Sequence, residues 1–573
     1  MPRHTLTAIA ALLLPLLAGA HSMTAHSRAE WQAEADAERA TAQYYRVSFA
    51  DAATARKAMI SLHDAVVDGH WKQAVLVMQL DDEELARLRP HARRIEPAVD
   101  FAALRQRQLD ALSRQASPRI LGKRAGQDVG TESIPGYSCY ETVEETQTAA
   151  QALVAARPTL ASYTAIGDSW EKANGLGGHD LKVLKLTNSA IGGDKPKLFV
   201  NSAIHAREYV TAPTVLALAQ QLVNGHGTDP EATWILDHHE VHLLLHTNPD
   251  GRKKAETGLM WRKNTNRNYC GVNSNSRGAD LNRNFTFNWN VTNGQGSSGN
   301  ACAETYRGPS AGSEPETQAM QAYVRTLWPD RRGTGVSDAA PRDTSGIHID
   351  MHSYGQLVLW PWGSTNTPTG NAADLQTLGR RFAYLNGHFP EQSIGLYPTD
   401  GTTDGVSYGE LGVAAYTFEL GTTFFQSCAT YPAIKSANVA ALMYAAKVVR
   451  APYILPSGPD ALSLSLSANN VPPGASVTLN AKIDAKRLST ANGKQATPKI
   501  ASAKAYIDVP PWAPGAVGLP MTATDGAFNG KVENVHLSLP TAGLASGRHL
   551  VWVEGTNVKG HTGPVTAIFL DIQ

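Results

Sequence analysis

Hydrophobic positions along the middle of the chain fall into two alternating patterns. Apolar runs that suit buried strands, among them KLFVNSA, HEVHLLLHTN, GIHIDMHS and AAYTFEL, alternate with helical stretches such as EYVTAPTVLALAQQLVNG and PAIKSANVAALMYAAKVVR. Because near-continuous apolar strands need cover on both faces, this alternation predicts an α/β fold with a mixed, mostly parallel sheet flanked by helices. Ligands of such sheets collect at the carboxyl ends of strands, where the pattern puts His205, His352 and Glu419.

Shorter elements precede this region. YYRVSF, QAVLVMQL and RRIEPAV predict strands, and ATARKAMISLHDAV and DDEELARLRPHA predict helices, so we expect a small α+β unit of β-α-β-α-β order. A helical stretch, FAALRQRQLDALSRQ, connects this unit to SPRILGKRAGQDVG, where Lys123 and Arg124 lie among turn-forming residues. Exposed dibasic segments are easily cut by proteases, which makes this stretch a candidate processing site.

The pattern changes again after APYILPSGPD. The runs ALSLSLSA, ASVTLNAKI and RHLVWVEGT alternate apolar and polar residues, TGPVTAIFLDI follows them, and turn-forming residues lie between the runs. Period-two alternation with frequent turns predicts an antiparallel, immunoglobulin-like β-sandwich. The sequence of this part shows no catalytic group of residues.

The first residues have the form of an export signal. MPRH is basic, LTAIAALLLPLLAGA is apolar, and Ala18-Gly19-Ala20 has the small-x-small pattern of a signal-peptidase site. This predicts a signal peptide at residues 1–20 and a secreted or periplasmic location. The alternative is a membrane anchor, which needs about 20 apolar residues. No later segment of the sequence is long and apolar enough for a membrane span.

Length, charge and cysteine content narrow the classes further. A chain of 573 residues exceeds what one hydrophobic core usually serves, so we expect two or three domains. The 51 basic and 51 acidic side chains cancel, which gives no support for a nucleic-acid partner. Four cysteines in an exported chain permit two disulfides. Cys270 and Cys302 bracket one loop-rich insertion, which favours their pairing, and Cys139 with Cys428 then follows by elimination.

The stretch AIHAREYV carries candidate metal ligands. His205 and Glu208 are three positions apart, and on a helical turn this spacing brings an imidazole and a carboxylate to one side. Catalytic zinc accepts two His and one Glu with a fourth position open, so a third ligand must come from elsewhere in the chain. Alone the pair is weak evidence, because H-x-x-E arises by chance in long proteins and a helix N-terminus also favours Glu.

Seven ordered motifs make the pattern specific. They are HARE at 205–208, NPDG at 248–251, MWRKN at 260–264, ADLNRNF at 279–285, CAETYRG at 302–308, MHSYGQLVLWPWG at 351–363 and YTFEL at 416–420. In these motifs the chain resembles the zinc metallocarboxypeptidases of the carboxypeptidase A and B (funnelin) family, over residues 133–452. The leading α+β unit resembles the propeptide of that family more faintly.

The resemblance implies one Zn²⁺ bound by His205, Glu208 and His352. Asp280 would hold one zinc histidine in the correct tautomer, and its alternative role is a helix or turn cap. Glu419 matches the general acid/base of the family, which takes a proton from water and returns it to the leaving amine. The alternative for Glu419 is a buried structural pair with an arginine. Five other histidines have no matching motif position and are expected to be structural: His238, His239, His242, His246 and His348.

Further matches concern the substrate. Arg262 matches the residue that stabilises the oxyanion, a role that suits a guanidinium in a partly dry cleft. Asn282 and Arg283 match the residues that bind the terminal carboxylate, which arginine grips with two parallel hydrogen bonds. Tyr397 precedes Glu419 by 22 residues and matches the mobile tyrosine of the family. These contacts would make the enzyme an exopeptidase.

Specificity depends on the stretch LYPTDGTTDGVSYG. We expect it to line the pocket for the last side chain, with apolar walls from Leu359 and Leu396 and with Asp404 accepting Lys or Arg, so that apolar and basic ends are both removed. GTTDGVSY departs from the more common Asp-Trp pattern of the family, which leaves a turn residue at the rim as the alternative for Asp404. Arg207 and Tyr354 match outer subsite residues, and their alternative is exposed scaffold.

Together these features predict a secreted proenzyme. Its expected parts are a signal peptide (1–20), a propeptide (21–124) that acts as an intramolecular inhibitor, a catalytic domain (125–453) and a sandwich (454–573). The expected substrate is the C-terminus of peptides or proteins, and the expected state is a monomer. Two alternatives remain: a non-catalytic peptide- or glycan-binding relative of the fold, and an adhesion or targeting factor that acts through its sandwich.

Overall fold

The computed structural model describes residues 43–62, 65–115 and 133–573. The predicted signal peptide and the dibasic pair at 123–124 lie outside these ranges. Within them the chain forms a small leading unit, a central α/β unit and a C-terminal β-sandwich.

A four-stranded antiparallel sheet of order β2-β3-β1-β4 forms the leading unit. Its elements are β1 (Tyr44–Ser48), α1 (Ala52–Ser61), β2 (Val66–His70), β3 (Val75–Gln79), α2 (Asp82–Leu88), β4 (Arg94–Pro97) and α3 (Val99–Gln115). The predicted helix through Val66 is wrong at its end, because α1 stops at Ser61 and Val66 begins a strand. The β-branched pair Val66-Val67 and Gly69 favour this change from helix to strand.

Eight strands form the central sheet, in the order β11-β10-β12-β9-β7-β8-β6-β5. They are β5 (Ala161–Asp168), β6 (Asp180–Leu186), β7 (Lys197–Ser202), β8 (Glu240–Leu244), β9 (Ile347–Ser353), β10 (Leu357–Trp360), β11 (Phe389–Gln392) and β12 (Ala414–Leu420). The pairs β11/β10, β12/β9, β9/β7 and β7/β8 are parallel, and the other three pairs are antiparallel. The predicted mixed, mostly parallel sheet is thereby confirmed.

Helices cover both faces of this sheet. They are α4 (Val143–Ala156), α5 (Trp170–Ala173), α6 (Thr211–Gly225), α7 (Pro230–His238), α8 (Pro249–Ala255), α9 (Pro315–Leu327), α10 (Ala372–Asn386) and α11 (Tyr431–Val448). Leu198 and Val200 of β7 belong to a core with residues of α6 and α11, whereas Phe199 between them packs with Met320 and Val324 of α9. Successive strand residues point to opposite faces, so both layers are apolar.

Two sheets form the sandwich, with the orders β13-β15-β19-β18 and β14-β21-β20-β16-β17. Their strands are β13 (Asp460–Leu466), β14 (Asn470–Val471), β15 (Val477–Asp484), β16 (Ile500–Ile507), β17 (Leu519–Pro520), β18 (Thr522–Ala523), β19 (Val532–Leu539), β20 (Gly547–Asn557) and β21 (Thr566–Ile572). Leu479 and Ile483 from one sheet share a core with Val551 and Val553 from the other.

Both predicted disulfides form. Cys139 is bonded to Cys428 and Cys270 to Cys302. Across the described ranges, none of the helices is both long and apolar enough to cross a membrane.

The register of the sheet brings distant residues to one edge. In the parallel pair of β9 and β12, His352 lies beside Glu419, and in the antiparallel pair of β10 and β12 Leu357 faces Glu419. Strand β7 is the other neighbour of β9, and His205 follows its end by three residues. The carboxyl ends of β7, β9 and β12 therefore meet at the edge where ligands of α/β sheets usually bind.

Candidate active site

His205 and Glu208 lie in the irregular turn between β7 and α6. The expected helical turn is wrong, since α6 begins only at Thr211. One turn-like hydrogen bond, from Glu208 N to the His205 carbonyl at 3.3 Å, still brings the two side chains together. The turn starts at Ala203, whose φ of 50° is in the left-handed region, and the Thr211 hydroxyl holds it by accepting from Ala203 N and donating to the Glu208 carbonyl.

Three donor atoms converge at this point. His205 Nδ1 lies 2.7 Å from Glu208 Oε1, and His352 Nδ1 lies 3.2 Å from Glu208 Oε2 and 3.1 Å from His205 Nδ1. All three residues are buried, and their potential ligand atoms lie within 4.8 Å of one another. Two imidazole nitrogens and one carboxylate match the donor set of a catalytic zinc site, so the residues fit the metal.

The ionisation of the Glu208 carboxyl also fits a metal site. Burial raises the pKa of the Glu208 carboxyl, but the adjacent His205 and His352 lower it by more, so its pKa is well below the usual range. Glu208 is therefore an anion, the form in which a carboxylate binds metal.

Asp280 contacts the cluster at the second ring nitrogen of His205. Its Oδ1 lies 3.2 Å from His205 Nε2, and it also accepts a hydrogen bond from Asn282 N at 3.0 Å. The two roles considered for Asp280, histidine partner and turn cap, are thus combined in one side chain. Its other oxygen accepts two hydrogen bonds from Arg262, at 3.1 Å from Nε and 2.9 Å from Nη2.

Asp350 is a second carboxylate at the cluster that the motifs did not reveal. Its Oδ2 lies 2.8 Å from His352 Nε2. Both residues are on β9, two positions apart, so they share one face of the strand. That spacing was the available signal, because a carboxylate two residues before a histidine in an apolar strand can contact its ring.

Glu419 lies near the end of β12, beside the metal cluster. It lines a cavity with His205, Glu208 and Arg262, and a second cavity with Asn282, Arg283 and His352. Burial raises the pKa of the Glu419 carboxyl to about 8. Its strongest charged neighbours are His352, Glu208 and Arg262, and Arg262 also donates two hydrogen bonds to Asp280.

Asn282, Arg283 and Tyr397 line the second cavity together. Arg283 is buried, donates to the Gly296 carbonyl through Nε at 2.7 Å, and lies with its guanidinium 5.9 Å from the centre of the Tyr397 ring. Asn282 accepts from Thr403 N at 3.1 Å, and its Nδ2 is 3.1 Å from His352 Nε2. The predicted carboxylate-binding residues therefore share one cavity with Glu419.

Asp404 lies in the wall of the same cavity, together with Leu359 and Leu396. It is buried and accepts a hydrogen bond from the Thr402 hydroxyl at 2.5 Å. Burial raises its pKa. This burial favours a place in the pocket wall over a turn position at the rim, which was the alternative for Asp404.

Arg207 and Tyr354 lie beside the first cavity. Arg207 donates to Glu304 Oε2 at 3.1 Å and stacks over the Phe424 ring at 4.2 Å, and Tyr354 meets the same ring edge-on at 4.9 Å. Glu304 lies in the motif CAETYRG without an assigned role, and Phe424 lies outside the seven motifs. Their roles follow from contact alone, which a single sequence does not reveal.

The other histidines of the α/β unit contact protein groups elsewhere. His238 and His239 pack against Trp512, His242 bonds the Tyr323 hydroxyl, and His348 bonds Ser407. Burial lowers the pKa of each of these rings, and that of His246. Lowered pKa values and contacts with protein groups agree with the structural role expected for these histidines.

The leading unit contacts the mouth of the site. Met59 and Val66 line the first cavity together with Glu419 and Tyr397. Arg56 forms an ion pair with Glu391 and donates to the Gly395 carbonyl at 2.7 Å.

Comparisons with known proteins agree with this geometry. The zinc carboxypeptidase family matches residues 146–433, half of the chain. A zinc carboxypeptidase of Saccharothrix mutabilis subsp. capreolus is 31% identical over 303 residues, which cover 51% of this chain and 64% of that protein. Carboxypeptidase A2 of Mus musculus is 32% identical over 251 residues, which cover 43% of this chain and 52% of that protein. The chain thus spans less than two thirds of either relative.

Solved structures show the same fold. Carboxypeptidase A from Helicoverpa armigera aligns with a TM-score of 0.52 at 21% identity, over 72% of this chain and 97% of that one. Thrombin-activatable fibrinolysis inhibitor aligns with a TM-score of 0.51 at 19% identity, over 71% of this chain and 98% of that one. On the family match, which the fold and the His-Glu-His cluster accompany, the chain belongs to the zinc carboxypeptidase family.

Proposed function

We propose that the protein is a zinc-dependent metallocarboxypeptidase that hydrolyses the last peptide bond of peptides or proteins. The observation that carries this proposal is the convergence of two groups on adjoining cavities. One group is the buried cluster of His205, Glu208 and His352, and the other is Arg283 with Tyr397. Glu419 lines both cavities. A metal centre beside a carboxylate-binding arginine suits cleavage at a free C-terminus.

Each side chain has a definite task in this proposal. Zinc, when bound by the three ligands, supplies a Lewis acid that makes water a better nucleophile. Glu419, which lines the cavity beside the metal ligands, accepts a proton from the attacking water and passes it to the leaving amine; a cation bound there favours its carboxylate form. Arg262, held by its two bonds to Asp280, offers positive charge to the developing oxyanion.

Substrate selection follows from the second cavity. Asn282, Arg283 and Tyr397 hold the terminal carboxylate, and the last side chain enters between Leu359, Leu396 and Asp404. Two apolar walls accept apolar ends, and the buried carboxyl accepts Lys or Arg, whose charge favours ionisation of Asp404. We therefore propose a mixed preference, with Arg207 and Tyr354 contacting residues further from the end.

Three further proposals concern the precursor. The propeptide (21–124) acts as an intramolecular inhibitor, because Met59 and Val66 of the leading unit line the first cavity. Cleavage near Lys123-Arg124 would release it, and the signal at residues 1–20 would direct the precursor to export. If intact and trypsin-nicked protein hydrolyse peptides equally fast, the inhibitory role is wrong.

The function is tested by incubating nicked protein with peptides that end in Phe, Leu, Arg, Lys or Glu, with and without a chelator. We expect mass spectrometry to show loss of single C-terminal residues, fastest for Phe, Leu, Arg and Lys, and none after chelation. Zinc-loaded protein that binds these peptides without shortening them would instead support the non-catalytic alternative. Cleavage inside the chains would contradict the exopeptidase assignment.

A further inference from the structure

A continuous row of buried polar side chains leads from Asp350, the neighbour of His352, through Asn201 and His348 to Ser407. Asp350 Oδ1 accepts a hydrogen bond from Asn201 Nδ2 at 2.7 Å, and Asn201 Oδ1 lies 2.7 Å from His348 Nε2. His348 Nδ1 is in turn 2.6 Å from the Ser407 hydroxyl. These side chains are buried, so each donor needs an acceptor within the protein.

The row ends at the Asp350 carboxylate, which accepts hydrogen bonds from its neighbours. The Thr403 hydroxyl donates to its Oδ2 at 2.7 Å, and His352 Nε2 lies 2.8 Å from the same oxygen. With Asn201 on Oδ1, three neighbouring groups can direct N–H or O–H bonds at one carboxylate. Asp350 is 1% exposed, so no bulk water competes for these bonds.

The two histidines of the cluster are placed alike. His205 turns Nδ1 toward Glu208 and Nε2 toward Asp280, and His352 turns Nδ1 toward Glu208 and Nε2 toward Asp350. A carboxylate that accepts one ring N–H leaves the lone pair on the other nitrogen free for a metal. Each histidine thus has its own carboxylate.

We infer that Asp350 is a positioning residue that holds His352 as the Nε2–H tautomer and thereby strengthens zinc binding at Nδ1. This inference rests on the proposed zinc function. The seven motifs did not include Asp350, and its effect acts through His352, since Asp350 is not among the residues that line either cavity.

Asn282 is the competing neighbour of His352 Nε2. Its Nδ2 is 3.1 Å away, and a bond donated from it would require Nε2 without a proton. The carboxylate is closer, at 2.8 Å, and an anionic acceptor forms the stronger hydrogen bond with a ring N–H. The two arrangements predict opposite tautomers, so substitutions distinguish them.

The test measures zinc affinity by equilibrium competition with a chromogenic chelator, using the full chain. We expect Asp350→Asn to raise the zinc dissociation constant by about 10- to 100-fold, the usual effect of losing such a partner. It should also alter the visible absorption of the Co²⁺-substituted protein, which reports ligand geometry. Ser407→Ala, at the far end of the same polar row, is the matched control and should change neither measurement.

Three outcomes are decisive, and a second variant is used if the first does not fold. If Asp350→Asn does not fold, Asp350→Ser leaves space for a water that can satisfy Asn201 and Thr403, and the same loss of affinity is expected. Zinc affinity within about twofold of wild type in a folded variant overturns the inference. A loss in Asn282→Ala without a loss in Asp350→Asn assigns the orienting role to Asn282 instead. If His205→Ala and His352→Ala both retain full zinc affinity, the proposed zinc function itself fails, whatever Asp350 does.

Discussion

Glu419 is the residue on which the proposed chemistry depends most directly. Replacing it with glutamine keeps the shape of the side chain but removes proton transfer, which contributes about 10²- to 10⁴-fold to such reactions. We expect Glu419→Gln to lower kcat by this factor while zinc content stays at one ion per chain, because Glu419 is outside the group of potential ligands. Peptide hydrolysis and metal analysis on the same sample check the prediction. Activity above a tenth of wild type would assign the general base elsewhere.

Asp404 should determine the share of basic ends that are removed. In Asp404→Asn the buried pocket loses its charge, and a charged hydrogen bond contributes about 1.5–3 kcal/mol, or roughly 10- to 100-fold. We expect kcat/KM for a peptide ending in Arg to fall by this factor relative to one ending in Phe. Asp400→Asn is the control, because Asp400 is also buried on this loop but bonds Thr292. An unchanged ratio in Asp404→Asn would contradict the pocket assignment.

The motifs predicted the individual residues of the candidate site better than the contacts between them. His205, Glu208, His352, Asp280 and Glu419 do converge, because motif identity encodes which residues a family brings together. The contacts of Asp350, Glu304 and Phe424 depend on side-chain packing across segments far apart in sequence, which periodicity does not report. Of these, Asp350 had a local signal in its two-residue spacing from His352, and Glu304 had one in its place within CAETYRG.

At the level of elements, strands with long apolar runs can be predicted from the sequence, whereas strands with short or interrupted runs cannot. Strands β7, β8, β9 and β12 follow from continuous apolar stretches, whereas β5 and β16 have interrupted patterns, with polar or small residues such as those of ASYTAIGD and IASAKAYI. The helical spacing assumed for His205 and Glu208 failed because the turn before α6 makes the same approach without a helix. Tertiary contacts decide such segments, since local preference is weak.

Helix α1 carries a polar contact between the leading unit and the α/β unit. Arg56 forms an ion pair with Glu391 and donates a hydrogen bond to the Gly395 carbonyl. The Glu391 side chain is buried. We expect Arg56→Ala to weaken the closed arrangement by about 1.5 kcal/mol, which corresponds to roughly a tenfold rise in the activity of the intact chain. The loss also leaves the Glu391 carboxylate buried without its cation, a further cost of closure.

A matched variant separates this effect from a general weakening of the leading unit. Arg46 pairs with Asp100, at 2.7 Å, within the leading unit itself. Arg46→Ala should therefore leave the activity of the intact chain unchanged, while nicked Arg56→Ala should match nicked wild type. Equal activation by both arginine variants would show that α1 has no special role in covering the cleft.

At the scale of the whole molecule, the sandwich is packed into the α/β unit. Trp512 contacts the ring of Trp234, with centroids 5.8 Å apart, and lies under the Arg450 guanidinium at 4.5 Å. Arg381 of α10 is buried and forms an ion pair with Asp460 of β13 at 3.1 Å. Tyr506, Trp552 and Val565 of the C-terminal unit belong to the same apolar cluster as the central sheet. Removing the sandwich would expose this surface and would remove Asp460, the carboxylate partner of Arg381.

This shared core argues against a sandwich that serves only for attachment, because a detachable targeting module would leave the catalytic unit intact. We expect a chain that ends at Pro456 to melt well below the full chain or to aggregate. Trp512→Ala should lower the melting temperature, because it removes the contact with Trp234, which contributes about 1 kcal/mol in addition to the buried area of the ring. Val517→Ala, at a side chain 71% exposed, is the control and should not shift it. A truncated chain with unchanged melting temperature and turnover would make the sandwich dispensable for the fold and restore attachment as its main role.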